Sequence, residues 1–165
     1  MKTLVLYDGR HGFTEKCLGF LANELSDEVD LWPVRRRRGT PDWNSYRAVV
    51  FGGPVYFGRW SPPLVRFLNK NASVLADRHP LAAFVVSLSP RTAALKYFQQ
   101  SLPAPLHGKP GLIACFGGSI TWKALSWWER LVLKLVRGVE TDVSNLDLGE
   151  IQTLATWLTA KSSQA

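Results

Sequence analysis

The sequence predicts an α/β fold in which a parallel sheet is covered by helices on both faces. Short apolar runs rich in strand-forming residues alternate with segments of helical spacing along all 165 residues. The runs are almost continuously apolar, as in strands buried on both faces. With 46% hydrophobic and 20% charged residues the chain can fill one core, so we expect a single domain spanning residues 1–165.

The first predicted unit is a strand, a glycine loop and a helix. Residues 3–7 form an apolar run, and Asp8–Gly12 interrupts it. Apolar residues then recur at helical spacing after Thr14, at Cys17, Leu18, Leu21, Ala22 and Leu25. Loop N–H groups and the helix dipole can bind phosphate at such a place, although any glycine turn there looks similar. The loop matches neither the P-loop nor the dinucleotide pattern, so both interpretations stay open.

The second predicted strand, residues 28–34, has the alternation of a half-exposed strand. Pro33 cannot donate to a ladder, so we place this strand at the edge of the sheet. Four consecutive arginines follow at residues 35–38. Such a run is typical of a solvated loop, and the functional alternative is a patch that binds anions or lipid.

The third predicted strand, residues 47–51, should lie at the centre of the sheet. We expect Gly52–Pro54 to be a loop at its carboxyl end, followed by three aromatic residues within residues 55–60. Those aromatic side chains could stack on a ligand or cover the core. Ser61 precedes two prolines, which predicts a helix that starts there with Ser61 as its N-cap.

The later segments continue the alternation. Residues 80–87 and 111–116 predict the fourth and fifth strands, with a helix over residues 91–102 between them. The fourth strand should end in the loop Ser87–Pro90 and the fifth in the loop Gly117–Ser119. A last helix is predicted from core spacing at Leu148, Ile151, Leu154, Ala155 and Leu158. Loops at the carboxyl ends of parallel strands gather at one edge, where such sheets bind ligands.

A basic amphipathic helix is predicted over residues 123–137. One of its stripes has spacings of four, three, four and three residues, and consists of Lys123, Trp127, Arg130, Lys134 and Arg137. A face that combines tryptophan with cations suits an anionic membrane surface. The alternative is an ordinary surface helix that covers the sheet.

Charge and cysteine content limit the function classes. A net charge of +7 favours an anionic partner, but no nucleic-acid motif accompanies the arginines, so we expect no nucleic acid. Cys17 and Cys115 lie in apolar patterns, which indicates buried thiols in a reducing compartment. The three histidines lack metal-ligand spacing, so we expect no metal. We also expect neither a signal peptide nor a membrane-spanning helix.

The chain resembles the flavodoxin-like proteins and, among them, the menaquinone-dependent protoporphyrinogen oxidases. The resemblance is carried by Met1–Leu6, by Gly52 with Tyr56, by Trp127–Leu135 and by Glu140–Asp142. It implies a flavodoxin-like three-layer sandwich with a five-stranded parallel sheet in the order 2-1-3-4-5. It also implies FMN at the strand ends and a quinone acceptor at the membrane.

The resemblance further implies which residues bind FMN. Residues 8–14 would hold the phosphate, residues 53–58 and 87–91 would flank the isoalloxazine ring, and residues 117–122 would lie nearby. The predicted cofactor-binding residues are Gly9, Arg10, His11, Gly12, Phe13, Thr14, Pro54, Val55, Tyr56, Phe57, Gly58, Ser87, Leu88, Ser89, Arg91 and Gly118.

The first loop departs from the family pattern Ser/Thr-x-Thr-Gly-x-Thr. Gly12, Thr14 and Glu15 match the family, whereas Gly9 and His11 stand where hydroxyl-bearing residues are usual. Asp8 adds a carboxylate, which is unfavourable near a phosphate unless it points away. Backbone N–H groups remain as phosphate donors.

The function that the resemblance implies is an FMN-dependent oxidoreductase of porphyrin and heme biosynthesis. It would pass electrons from a reduced, porphyrin-like substrate to a quinone, and Arg10, Arg59 and Arg91 are candidates for pairing with substrate carboxylates. No general acid or base is identified, because the cofactor supplies most of the chemistry. We predict a cytoplasmic protein, at the inner face of the cell membrane if the basic helix contacts lipid.

Two alternatives stay open. The first is a flavodoxin-type electron carrier, which the positive net charge disfavours because such carriers are strongly acidic. The second is a flavodoxin-fold binding module that has lost FMN, which the missing hydroxyls in the first loop favour.

Overall fold

The computed structural model describes residues 2–120 and 143–162. Within them, five parallel strands form one sheet in the order β2-β1-β3-β5-β6. These strands are β1 (Lys2–Tyr7), β2 (Glu28–Pro33), β3 (Tyr46–Tyr56), β5 (Leu81–Val86) and β6 (Leu112–Cys115). A two-residue strand, β4 (Arg59–Trp60), pairs antiparallel with the end of β3. Without β4, the order is the predicted 2-1-3-4-5, and β2 is the predicted edge strand.

Helices cover both faces of this sheet, as predicted. They are α1 (Phe13–Glu24), α2 (Pro62–Lys70), α3 (Ala72–Ala76), α4 (Arg91–Ser101) and α5 (Leu148–Ser162), with short 3-10 turns at Trp43–Ser45 and Ala104–Leu106. Strand side chains alternate between the faces, so Leu4 and Leu6 pack in the core beneath α2, α3 and α4. Val5 and Tyr7 pack in the second core, beneath α1 and α5.

The expectation of a loop at Gly52–Pro54 is wrong, because these residues lie inside β3. The strand continues to Tyr56 and pairs with β5 as far as Pro54. A Cβ on Gly52 would lie 2.0 Å from the carbonyl oxygen of Phe84, and one on Gly53 would lie 2.8 Å from that of Asp8. The glycines therefore serve the close approach of neighbouring strands and not a turn.

The expectation of a loop at Gly117–Ser119 is also wrong. These residues belong to β7 (Gly117–Ile120), which pairs antiparallel with β8 (Val143–Leu146). The ribbon escaped sequence reasoning because two glycines and a serine read as a turn, and their partner strand is distant in sequence. Leu148, predicted in the core, is 48% exposed because it begins α5, whereas the other four predicted core residues of that helix are buried.

The predicted basic helix at residues 123–137 lies outside the described residues, as do its Lys123, Trp127, Arg130, Lys134 and Arg137. The motif Glu140–Asp142 lies outside them too. Cys17 is buried, and burial raises the pKa of its thiol to about 12. Cys115 is only partly buried. None of the described helices combines the length and apolar composition that crossing a bilayer requires.

Candidate functional site

Loops that follow different strands meet at the carboxyl edge of the sheet. The β1–α1 loop reaches the β3–β4 turn, where the guanidinium carbon of Arg10 lies 5.9 Å from the ring centroid of Tyr56. The β5–α4 loop reaches β7, where the Ser87 N–H donates to the carbonyl of Gly117 at 2.7 Å. The fold thus places nearly all of the predicted cofactor-binding residues along one edge.

The β1–α1 loop leaves the N-terminus of α1 open. Gly12 is the N-cap residue, with a φ of 79°, and it has no side chain with which to cap the helix. A Cβ at Gly12 would have nothing within 4 Å, so the space beside the helix end is empty. N–H groups of a first helical turn need an acceptor from outside the helix, and an anion is a suitable one.

Gly9 is closely packed against side chains of the first turn of α1. A Cβ at Gly9 would lie 3.0 Å from Glu15 Oε2 and 3.3 Å from Thr14 Oγ1. Thr14 is buried, and Glu15 Oε2 is a buried acceptor with no hydrogen-bond partner among the described residues. A larger residue at Gly9 would therefore press on Thr14 and Glu15, and the loop holds an acceptor that lacks a donor among the described residues.

Asp8 is held by groups from outside the loop. Its carboxylate accepts hydrogen bonds from Arg35 Nε at 3.0 Å and Arg35 Nη2 at 2.7 Å, and a third from the Ser61 hydroxyl. Burial acts to raise the pKa of Asp8, but the bonds from Arg35 and Ser61 outweigh it and lower the pKa. Arg35 thus offsets the negative charge of the Asp8 carboxylate. Asp8 therefore does not repel an anion in the loop as an unpaired carboxylate would.

Sequence reasoning missed Arg35 and Ser61 as partners of Asp8. Arg35 belongs to the four-arginine run, which gives no sign that one member is bound to a residue 27 positions earlier. Ser61 is at the predicted N-cap of α2, but its side chain makes no capping bond because its hydroxyl donates to Asp8.

The β3–β4 turn exposes two of the three aromatic residues predicted there. Tyr56 is 36% exposed and Phe57 is 67% exposed. Trp60 is buried and packs edge-to-face on Phe51 and Phe98. The core-covering interpretation is therefore confirmed for Trp60, whereas Tyr56 and Phe57 lie at the surface, where stacking on a ligand stays a prediction.

The β5–α4 loop is braced by β7. The Ser89 N–H donates to Ser87 Oγ at 3.0 Å. A Cβ on Gly118 would lie 2.7 Å from the backbone nitrogen of Leu88, so glycine there allows the two backbones to touch. The predicted residues Ser87, Leu88, Ser89 and Gly118 therefore form one packed unit.

Arg91 is held away from the first loop. Its Nη1 lies 2.5 Å from Glu150 Oε2, and its Nη2 donates to the carbonyl of Ile113 at 3.3 Å. The bond to Glu150 raises the pKa of the Arg91 guanidinium. Glu150 also accepts a bond from the Cys115 N–H at 2.9 Å, so the group closes the exposed edge of β6.

Metal-binding side chains are not grouped in the part of the chain that the structure describes. Two cavities, of about 360 Å³ and 170 Å³, lie at the opposite, amino edge of the sheet, and both are lined by Arg47. We take the carboxyl edge as the candidate site, because the open helix end and the exposed rings lie there.

Comparisons with known proteins agree with this architecture. A family model described as a flavodoxin domain matches residues 4–147. The chain is 28% identical over 153 residues to the Protoporphyrinogen IX dehydrogenase (quinone) of Escherichia coli. The matched region covers 86% of this chain and 83% of that protein.

Solved structures show the same fold. Oxidised Flavodoxin 1 from Bacillus cereus has a TM-score of 0.62 at 12% identity. The matched region covers 97% of this chain and 98% of the Bacillus cereus chain. The flavodoxin, WrbA-like protein from Agrobacterium tumefaciens has a TM-score of 0.58 at 17% identity, with coverage of 99% and 96%. At these identities the likeness establishes the fold alone.

Proposed function

The chain belongs to the flavodoxin domain family, and on this basis we propose that it is an FMN-dependent oxidoreductase. The observation that carries the proposal is the pairing of an open helix N-terminus at Gly12 with exposed aromatic rings one strand away. The first can take an anion and the second a flat ring. FMN has both parts.

The residues of the first loop fit a phosphate group. N–H groups of the first turn of α1 and the Thr14 hydroxyl would donate to it, since Gly9 and His11 offer no hydroxyl. Asp8 is no obstacle, because Arg35 offsets its charge. The unpartnered acceptor Glu15 Oε2 suits a ligand that brings hydroxyl donors, such as a ribityl chain.

The ring of the cofactor would lie between the β3–β4 turn and the β5–α4 loop. Tyr56 and Phe57 offer ring surfaces, and the Ser87–Ser89 segment offers polar backbone and hydroxyl groups. When bound, FMN supplies the two-electron chemistry, and the protein positions it and limits access of water. No side chain of the described residues is assigned as a catalytic acid or base.

The name of the Escherichia coli relative supports a more specific proposal. We infer the same substrate class, a reduced tetrapyrrole that loses two electrons and two protons in each turnover. A quinone takes up both and becomes the quinol, so the electrons and protons balance. Arg10 and Arg59 are exposed beside Tyr56 and can meet substrate carboxylates, whereas the Arg91 guanidinium is bound to Glu150.

Two other functions each have one supporting observation. The solved structures named above are flavodoxins by title, which favours an electron carrier, although the net charge of +7 disfavours it. The absence of hydroxyl-bearing side chains at Gly9 and His11 favours a binding module without FMN, because fewer donors are left for a phosphate.

An anaerobic oxidation assay distinguishes the three. Protein loaded with FMN is mixed with protoporphyrinogen and a soluble quinone, and the fluorescence of the porphyrin product is followed against protein without FMN. We expect product only with FMN bound. Bound FMN without product would favour the electron carrier, and failure to bind FMN would favour the binding module.

A further inference from the structure

Two of the four consecutive arginines that follow β2 are bound within the protein. The Arg35 guanidinium donates two hydrogen bonds to the Asp8 carboxylate, at 3.0 and 2.7 Å. Arg37 pairs with Asp30 at 3.3 Å, and its guanidinium carbon lies 4.6 Å from the ring centroid of Trp32. These contacts account for the first and third arginines of the run and tie its backbone to the sheet.

The other two arginines of the run, Arg36 and Arg38, are exposed. Neither has an ion pair or a side-chain hydrogen bond with another residue in the described ranges. The Arg36 N–H donates to the carbonyl of Pro33 at 3.0 Å, which fixes the turn. The Val34 N–H donates to the carbonyl of Tyr7 at 2.9 Å, which holds the turn against the end of β1. The turn therefore presents an exposed guanidinium beside the strand that leads into the first loop.

The charge of Arg36 acts on the end of β1 that faces α1. Tyr7 ends β1 and packs in the core beneath α1 and α5. Burial raises the pKa of its hydroxyl, the Glu15 carboxylate raises it further, and the guanidinium groups of Arg36 and Arg37 lower it. The Arg36 guanidinium therefore lies within electrostatic range of the same hydroxyl as Glu15, which follows Thr14 in the proposed phosphate site.

The proposed phosphate site has few side-chain donors of its own. Gly9 and His11 carry no hydroxyl, which leaves the Thr14 hydroxyl and backbone N–H groups. Arg10 of the first loop is directed to the β3–β4 turn, where its guanidinium carbon lies 5.9 Å from the ring centroid of Tyr56. A phosphate monoester carries a charge of about −1.5 to −2 at neutral pH, and a guanidinium can donate two parallel hydrogen bonds to it. A cation from the arginine run would supply the charge and the donors that the loop lacks.

We propose that Arg36 is a phosphate-binding residue, contributed by the turn after β2, and that it distinguishes phosphorylated from unphosphorylated flavin. This rests on the proposed function and adds to the first loop a cation from a different strand. Arg36 is favoured over Arg35 and Arg37, because both of those are paired with carboxylates. It is favoured over Arg38 because it is nearer in the chain to Val34, whose N–H is bonded to the end of β1.

Riboflavin is FMN without its phosphate, so a comparison of the two flavins isolates the contact. Arg36→Gln should weaken FMN binding about tenfold, since a charge-assisted hydrogen bond is lost, and should leave riboflavin affinity unchanged. Arg36→Lys should recover part of the loss, because it restores the charge but not the paired donors. Arg38→Gln removes the same charge from the same run and should change neither affinity. Titration of flavin fluorescence with FMN-free protein measures both affinities.

Three results would overturn the role of Arg36. One is an unchanged FMN affinity in Arg36→Gln, and another is an equal loss for riboflavin, which would make the residue structural. The third is an equal loss of FMN affinity in Arg38→Gln, which would assign the effect to the positive field of the whole run. Failure of the proposed function is distinguished, because the unaltered protein would then bind neither flavin.

Discussion

The amino and carboxyl edges of the same sheet differ in how their polar groups are satisfied. At the amino edge, Lys2 pairs with Glu28 at 2.7 Å, and Arg47 pairs with Asp27. At the carboxyl edge, the Glu15 carboxylate keeps a buried oxygen without a partner among the described residues. The buried acceptor that lacks a donor in the described part of the chain therefore lies at the carboxyl edge.

The described cavities and the candidate site lie at opposite edges. The cavity of about 360 Å³ lies at the amino edge among Arg47, Val74, Asp77, Arg78 and His79. The carboxyl edge has instead an open helix end, an acceptor without a donor and exposed rings at a strained turn. The candidate site is therefore assigned by the chemistry of its groups and not by a comparison of cavity volumes.

The largest effect on stability is expected at Gly52, where the carboxyl half of β3 packs closely on β5. Gly52→Ala should lower the free energy of unfolding by about 3–5 kcal/mol, because the new Cβ would overlap the Phe84 carbonyl. Urea denaturation measures the change. Gly19→Ala, on the open face of α1, is the control and should raise stability by about 0.5–1 kcal/mol. A mild effect at Gly52 would contradict the close-approach explanation.

Asp8→Asn should lower stability by about 1–3 kcal/mol at neutral pH, because it leaves Arg35 without its charged partner. The pKa of Asp8 is lowered in the folded protein, so its contribution is present above the ordinary carboxyl pKa of about 4. That contribution is lost as the pH falls through the folded pKa. Urea denaturation over a pH series should show the two proteins converging in acid, and a constant difference would contradict this.

Thr14→Val tests the proposed phosphate site at the carboxyl edge directly. Removing the hydroxyl should weaken FMN binding about tenfold, which is the loss of a hydrogen bond to a charged group. Titration of flavin fluorescence gives the affinity, and urea denaturation of the same variant checks that the fold is kept. An unchanged affinity would show that Thr14 does not contact the phosphate.

Asp27→Asn is the matched change at the amino edge. Its partner Arg47 is partly exposed, so the loss of stability should be about 1 kcal/mol or less. FMN affinity should not change, because the pair lies at the amino edge of the sheet and the first loop lies at the carboxyl edge. A loss of FMN affinity equal to that of Thr14→Val would remove the distinction between the edges.

The residues themselves were sufficient for the alternation of strands and helices and for the β2 edge, because apolar runs and Pro33 report burial and missing donors locally. The strand order followed only from the resemblance to the flavodoxin-like proteins. It was insufficient at Gly52 and Gly53, since glycine for a close backbone approach and glycine for a turn look alike in sequence. It also missed the Asp8–Arg35 pair, because contact between the ends of β1 and β2 arises only when the sheet forms.

Titration of FMN-free protein with FMN tests the central claim most directly. If FMN completes the carboxyl edge, the protein will bind an equimolar amount with micromolar or tighter affinity. It will retain the flavin absorption bands after gel filtration, and Asp27→Asn will behave in the same way. Absence of binding at micromolar concentrations, with the fold intact by circular dichroism, would contradict the account.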